Sequence, residues 1–136
     1  MKANKSTKTI ILLLFTFLIS TNFDVFAQKI PKVEEGKGLI VFYRSKKFSG
    51  GAIKFTVKDN RGDYGQLTNG SIISVTVEPG SNTFWSQVIS SDSITIEVEE
   101  GKTYYIKGTT KMGVVAARPK FNLVDEKKAL KELKKL

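Results

Sequence analysis

The chain has 136 residues, the size of one domain, and carries 22 Lys and Arg against 13 Asp and Glu, a formal net charge of +9 at pH 7. It holds no cysteine and no histidine, which excludes disulfide staples, thiolate zinc sites, ordinary His-ligated metals, Cys–His nucleophile pairs and the Ser–His–Asp triad. The basic excess favours anionic partners such as phosphorylated lipid, polyanionic glycan or nucleic acid, and it serves plain solubility equally well.

The first element read along the chain is a leader. Lys2, Lys5 and Lys8 precede an apolar run from Ile10 to Ile19 that ends in small and polar residues, the layout of a secretory signal peptide. Val25 and Ala27 stand three and one before the expected cut, so that residues 1–27 are removed and Gln28 opens the mature chain. The apolar run is about half the roughly twenty residues that span a bilayer. Cleavage is therefore expected rather than anchoring, with no transmembrane segment left afterwards. The expected address is outside the cytoplasm, periplasmic or extracellular, peripheral to a bacterial envelope. With no cysteine, no disulfide braces the exported chain and no lipid is attached to an N-terminal Cys.

Residues 28–37 alternate charge with Pro31 and Gly36 and read as a linker or a loosely held strand, and the domain proper is expected over 38–136. Leu39 to Tyr43 is a continuous apolar run, as in a central strand buried on both faces. Ser45 to Gly51 forms a loop whose Lys46, Lys47 and Phe48 make a basic, aromatic tip. Ile53, Phe55 and Val57 alternate with polar residues, and Asp59 to Asp63 turns the chain. A strand through Tyr64 and Leu67 runs to Asn69-Gly70, a tight hairpin signal. Ile73, Val75 and Val77 form the apolar face of the next strand, which Pro79-Gly80 closes. Asn82 to Ile89 holds the single tryptophan, Trp85. Ile94, Ile96 and Val98 then oppose Thr95, Glu97 and Glu99. Thr103 to Lys107 is a strand with Tyr104 and Ile106 on one face and Tyr105 on the other, and Val114 to Ala117 is a candidate last strand.

Ile73 to Gly80 (ISVTVEPG) aligns without gaps on Ile94 to Gly101 (ITIEVEEG), which reads as two hairpins of one design, each needing a second sheet to cover its apolar face. At the C-terminus the period changes. Asp125 caps a helix over 125–136 whose Ala129, Leu130, Leu133 and Leu136 form one stripe, with lysines elsewhere and in the last turn. The fold class expected is an all-β antiparallel sandwich of about seven or eight strands with one short C-terminal α-helix laid against it.

Gly36 to Arg44 (GKGLIVFYR), Val77 to Gly80 (VEPG) and Glu100 to Tyr105 (EGKTYY) together resemble the bacterial domain of unknown function 2846, a likeness running from about Gly36 to the C-terminus, nearly the whole expected mature chain, with its Leu-bearing terminal helix. The resemblance implies an envelope-associated β-domain, often tethered as a lipoprotein, with no established activity. This chain departs from it in lacking the lipidation Cys and in placing Ser45 where such domains often have Pro. The leader ending in Phe-Ala-Gln also resembles those of Bacteroidetes-type bacteria.

No motif carries a reaction. Arg61-Gly62-Asp63 spells an adhesion tripeptide but consists of turn residues. Asp59 and Asp63 lack the oxygen at the third loop position that calcium needs, where Arg61 stands. Glu97 and Glu99 share a solvated strand face without the cleft that separates carboxylate pKa values, and no Ser–Lys pair, whether Ser45 with Lys46 or Ser86 with a distant lysine, stands out. A non-enzymatic binding or assembly module is expected, with no metal and no cofactor. The candidate contact residues are Arg44, an arginine ending a buried strand that needs a carboxylate, carbonyls or an anionic ligand; Lys46, Lys47 and Phe48 beside it; and Trp85 and Tyr105 as stacking surfaces for sugar or peptide. The partner is another envelope protein or an anionic glycan or lipid surface. Nucleic acid is not expected, since no reader motif is present. The alternatives are a small hydrolase with an unrecognised carboxylate or Ser–Lys site, and a basic module that grips anionic lipid or glycan.

Overall fold

Eight strands form two four-stranded sheets, and one short helix follows them in this computed structural model. The structure describes residues 30–48, 50–87, 91–112 and 117–136; the leader expected over 1–27 lies outside them. The strands are β1 (Gly38–Tyr43), β2 (Phe55–Asp59), β3 (Gly62–Leu67), β4 (Ile72–Val77), β5 (Gly80–Gln87), β6 (Ser91–Val98), β7 (Thr103–Met112) and β8 (Ala117–Val124), and the helix α1 is Glu126–Leu133. The expected two-sheet β architecture with a C-terminal helix is what the chain forms. From Ile30 to Lys37 no strand forms.

Sheet A has the order β4-β1-β7-β8 and sheet B the order β3-β2-β5-β6. β1 is buried at all six positions, as its unbroken apolar run requires. Its even residues Ile40 and Phe42 join the core between the sheets, while Leu39, Val41 and Tyr43 face the side on which α1 lies. Across the core Phe42 meets Phe84 edge-on, with ring centroids 5.0 Å apart, and Phe121 bridges Phe42 and Phe55 at 5.4 and 6.0 Å. One pairing in sheet A is parallel: β1 beside β7, with Leu39 opposite Thr103 and Tyr43 opposite Lys107. Sheet A is thus mixed, and β1 and β7 leave it at the same end.

Three expected hairpins are corners between sheets. The turn at Asn69-Gly70 joins β3 of sheet B to β4 of sheet A. The echoed segments do the same in opposite senses: β4 passes into β5 through Pro79-Gly80, from A to B, and β6 passes into β7 through Glu100-Gly101, from B to A. The shared design is a strand ending in a buried valine, Val77 or Val98, followed directly by a glutamate and, three positions after the valine, by a glycine. Gly80 and Gly101 take φ of 112° and 74° there, angles that a side chain resists. Period-2 alternation specifies which face is apolar, and says nothing of which sheet the next strand joins.

The last strand is also longer and later than expected. β8 runs over Ala117–Val124, whereas residues 114–116 of the expected strand lie outside the described residues. Arg118 and Pro119 interrupt the apolar pattern, but β8 is an edge strand, and there a proline is tolerated because no outer neighbour needs its missing N–H. Asp92 of β6 accepts a hydrogen bond from the Phe121 N–H at 2.7 Å and so ties the edges of the two sheets together.

α1 begins as its sequence predicts. The Asp125 carboxylate accepts from the Lys128 N–H at 3.0 Å, and Ala129 and Leu133 are buried.

Candidate functional site

Three surface features contain the six candidate contact residues, and they do not converge. Arg44, Lys46, Lys47 and Phe48 follow β1 at its Tyr43 end. Trp85 lies on the outer face of sheet B, and Tyr105 lies on the outer face of sheet A. Trp85 and Tyr105, both expected as stacking surfaces, do not form one common surface. Their strands belong to different sheets, and Tyr105 is 6% exposed. It borders a shallow hollow with Leu123, Asp125 and Glu126. Burial raises its pKa, followed by the charge of Glu126.

Arg44 is buried, at 4% exposure, and takes the second of its three possible acceptors. Its Nη2 donates to the Gly50 carbonyl at 2.6 Å and its Nη1 to the Ile53 carbonyl, while the guanidinium lies over the Phe55 ring, 5.2 Å from the centroid. Burial lowers its pKa. The fork is used inward, which makes Arg44 a brace for the loop. Lys47 is fixed through its backbone, whose N–H donates to Asn69 Oδ1 at 2.8 Å, and Lys46 Nζ donates to the Leu136 carbonyl at 2.9 Å. Phe48 is wholly exposed.

The parallel β1–β7 pair gathers further charge at this end. The β1–β2 connection supplies Lys46, Lys47 and Lys54. The far ends of β7 and β8 add Lys111, Arg118 and Lys120. The last turn of α1 and the residues beyond it add Lys131, Lys134 and Lys135. Among the described residues, the side-chain carboxylates at this end are Asp92, bound to the Phe121 N–H, and Glu132. Glu132 accepts from Tyr43 Oη at 2.8 Å and Lys107 Nζ at 2.7 Å. Burial raises its pKa, but these two bonds and the lysine charges outweigh that and hold it below the ordinary value. Glu34, Glu35, Glu78, Glu97, Glu99 and Glu100 all lie towards the opposite, Gly38 end. The molecule has a basic pole capped by an exposed aromatic ring, and the net charge alone did not reveal it. The signal was the placement of the lysines after β1, around the β7–β8 connection and at the helix end.

The third feature is a groove of about 360 Å³ at the β2–β3 turn of sheet B, beside Trp85 of β5. Asp59, Asn60 and Arg61 of the β2–β3 turn form one wall, and Ser81 to Thr83 with Trp85 form the other. Asp59 is the buried anchor: its carboxylate accepts from the Arg61 N–H and Nε, each at 2.7 Å, from the Gly62 N–H at 3.2 Å and from Tyr64 Oη at 2.9 Å. Burial raises its pKa, yet the bonds from Arg61 and Tyr64 prevail and hold it below the usual carboxylate range. Arg61 Nη2 also pairs with Asp59 and reaches Asn82 Oδ1 at 3.4 Å. Arg61 of the adhesion-like tripeptide is thus engaged within its own turn. Glu99 pairs with Lys102 on the surface at 2.6 Å. Ser86 is shut in the core, and its hydroxyl has no hydrogen-bond partner among the described residues.

These features define a small mixed two-sheet β-domain with a charged pole at one end and a polar groove on one face. The chain belongs to the family described as protein of unknown function (DUF2846), matched over residues 34–119, from before β1 into β8. No curated protein matches it, and no solved structure does.

Proposed function

We propose that this is an exported, non-enzymatic binding module of the bacterial envelope, and that its working surface is the basic pole, which docks on anionic lipid headgroups. The observation that carries this reading is Phe48, wholly exposed at a loop tip beside Lys46 and Lys47 and on the same end as the lysines of α1. Lysines near a bilayer each contribute about 1 kcal/mol with anionic lipid. An apolar ring among them adds burial at the headgroup boundary, which a free glycan would not offer. The acidic residues at the Gly38 end orient the docking, because they are repelled from the surface that attracts the other pole.

Co-sedimentation of the purified protein with vesicles of phosphatidylglycerol and phosphatidylcholine tests the reading. Binding is expected at about 50 mM salt, falling steeply by about 500 mM as the Debye length shrinks, and is expected to be absent with phosphatidylcholine alone. Failure to bind anionic vesicles at the lower salt overturns it.

A further inference from the structure

We propose that the groove beside Trp85 is a saccharide-binding subsite that takes a short segment of a neutral glycan. Sheet A has its outer face occupied by α1, whereas the outer face of sheet B carries no element above it among the described residues. A half-buried tryptophan there offers a flat apolar ring, and the polar groups around it are already fixed in place. Asn82 Nδ2 donates to the Glu78 and Gly80 carbonyls at 2.9 and 3.1 Å, and Arg61 is held by the buried Asp59. Thr83 shares a 2.8 Å hydroxyl contact with Thr95 across β5 and β6.

That combination matches the chemistry of a pyranose. Its C–H face packs on an indole, and its hydroxyls donate to Asn82 Oδ1, whose own amide hydrogens are spent on Glu78 and Gly80, accept from the Arg61 guanidinium hydrogens that Asp59 leaves free, and exchange with the Thr83 hydroxyl. Preorganised donors limit the ordering that binding would otherwise require. Charge decides between neutral and acidic sugars. Arg61 is balanced by Asp59, and Lys58, in register with Trp85, lies 3.6 Å from Asp63, so among the described residues the groove has no surplus cation for a uronate or phosphate. The site lies on a different face from the basic pole, and either assignment can fail without the other.

Trp85 is the chain's single tryptophan, so its emission reports the groove directly. Purified protein is titrated with a panel of neutral oligosaccharides built on glucose, mannose, galactose and N-acetylglucosamine, and with oligogalacturonate as the anionic probe. At least one neutral oligosaccharide is expected to give a saturable emission change that moves less than about twofold between 50 and 500 mM salt. In calorimetry, Trp85→Ala is expected to weaken that binding at least about tenfold while Trp85→Phe retains most of it. Vesicle binding of Trp85→Ala stays unchanged. Absence of a saturable change across the neutral panel, equal binding by Trp85→Ala, or salt-sensitive binding of oligogalacturonate alone each overturns the assignment.

Discussion

At the scale of single residues, Arg44 and Gly108 show how the core constrains its surroundings. Arg44 satisfies two loop carbonyls with one planar fork, and a lysine cannot reproduce that geometry. Arg44→Met takes the guanidinium donors from both carbonyls, leaving Gly50 O only the Ile53 N–H at 3.2 Å, and is expected to lower stability by about 1–3 kcal/mol in urea denaturation. Arg44→Lys should lie between Met and the native residue. Gly108 sits where β7 passes beneath sheet B. A Cβ there would fall 2.9 Å from Phe55 Cζ and closer still to Leu67, both buried. Gly108→Ala is expected to lose about 1–3 kcal/mol, read as a lower thermal midpoint. The sequence identified Arg44 as needing acceptors because a charge ending an apolar strand must have them. It did not reveal which ones, since Gly50 and Ile53 return to Arg44 only once the loop has folded. For the same reason Trp85 was recognisable as a stacking residue while its polar surroundings were not: Asp59 and Arg61 meet within one turn, but they come beside Asn82 and Trp85 only through the β2–β5 pairing.

At the scale of elements, α1 is held to sheet A by a polar latch in addition to Ala129 and Leu133. Glu132 joins Tyr43 and Lys107, and its folded pKa is lowered. That contribution is present above the ordinary glutamate value of 4.5 and is lost as pH falls through the folded value. Tyr43 works in the opposite sense. Burial and the Glu132 carboxylate raise its pKa, so its contribution is present below the ordinary value of 10.0 and declines above it. Protection of the α1 amides from hydrogen exchange should therefore be greatest between these limits. In Glu132→Gln the acid-side loss should shrink, with stability near neutral pH lowered by about 1 kcal/mol. The helix, its cap and its stripe were legible because each depends on residues within a few positions. β1 was legible from five consecutive apolar residues, and the faces of β2, β4 and β6 from their alternation. The sheet-crossing corners and the parallel β1–β7 pair were not. A turn sequence specifies local backbone angles, whereas sheet membership is settled by packing between segments far apart in the chain.

At the scale of the whole molecule, the separation of charge predicts cumulative effects. Replacing Lys47, Lys134 and Lys135 together by alanine is expected to remove about 3 kcal/mol of vesicle affinity, roughly a hundredfold. Phe48→Ala should cost about tenfold with little change in salt dependence. Neither change touches the core, so thermal unfolding should be unaltered. For the leader, N-terminal sequencing of the exported protein is expected to begin at Gln28, and a chain beginning at Met1 would refute cleavage. The placement of β1 has a kinetic consequence. The first strand of the domain is an interior strand of its sheet, and its neighbours come from the middle and the latter part of the chain. Sheet A cannot assemble progressively from the N-terminus, because Leu39 waits for Thr103 before its second flank is closed. Such long-range closure places folding in the slow range for a domain of this size, milliseconds to seconds. A chain released from one end would thus emerge almost entirely before sheet A could lock.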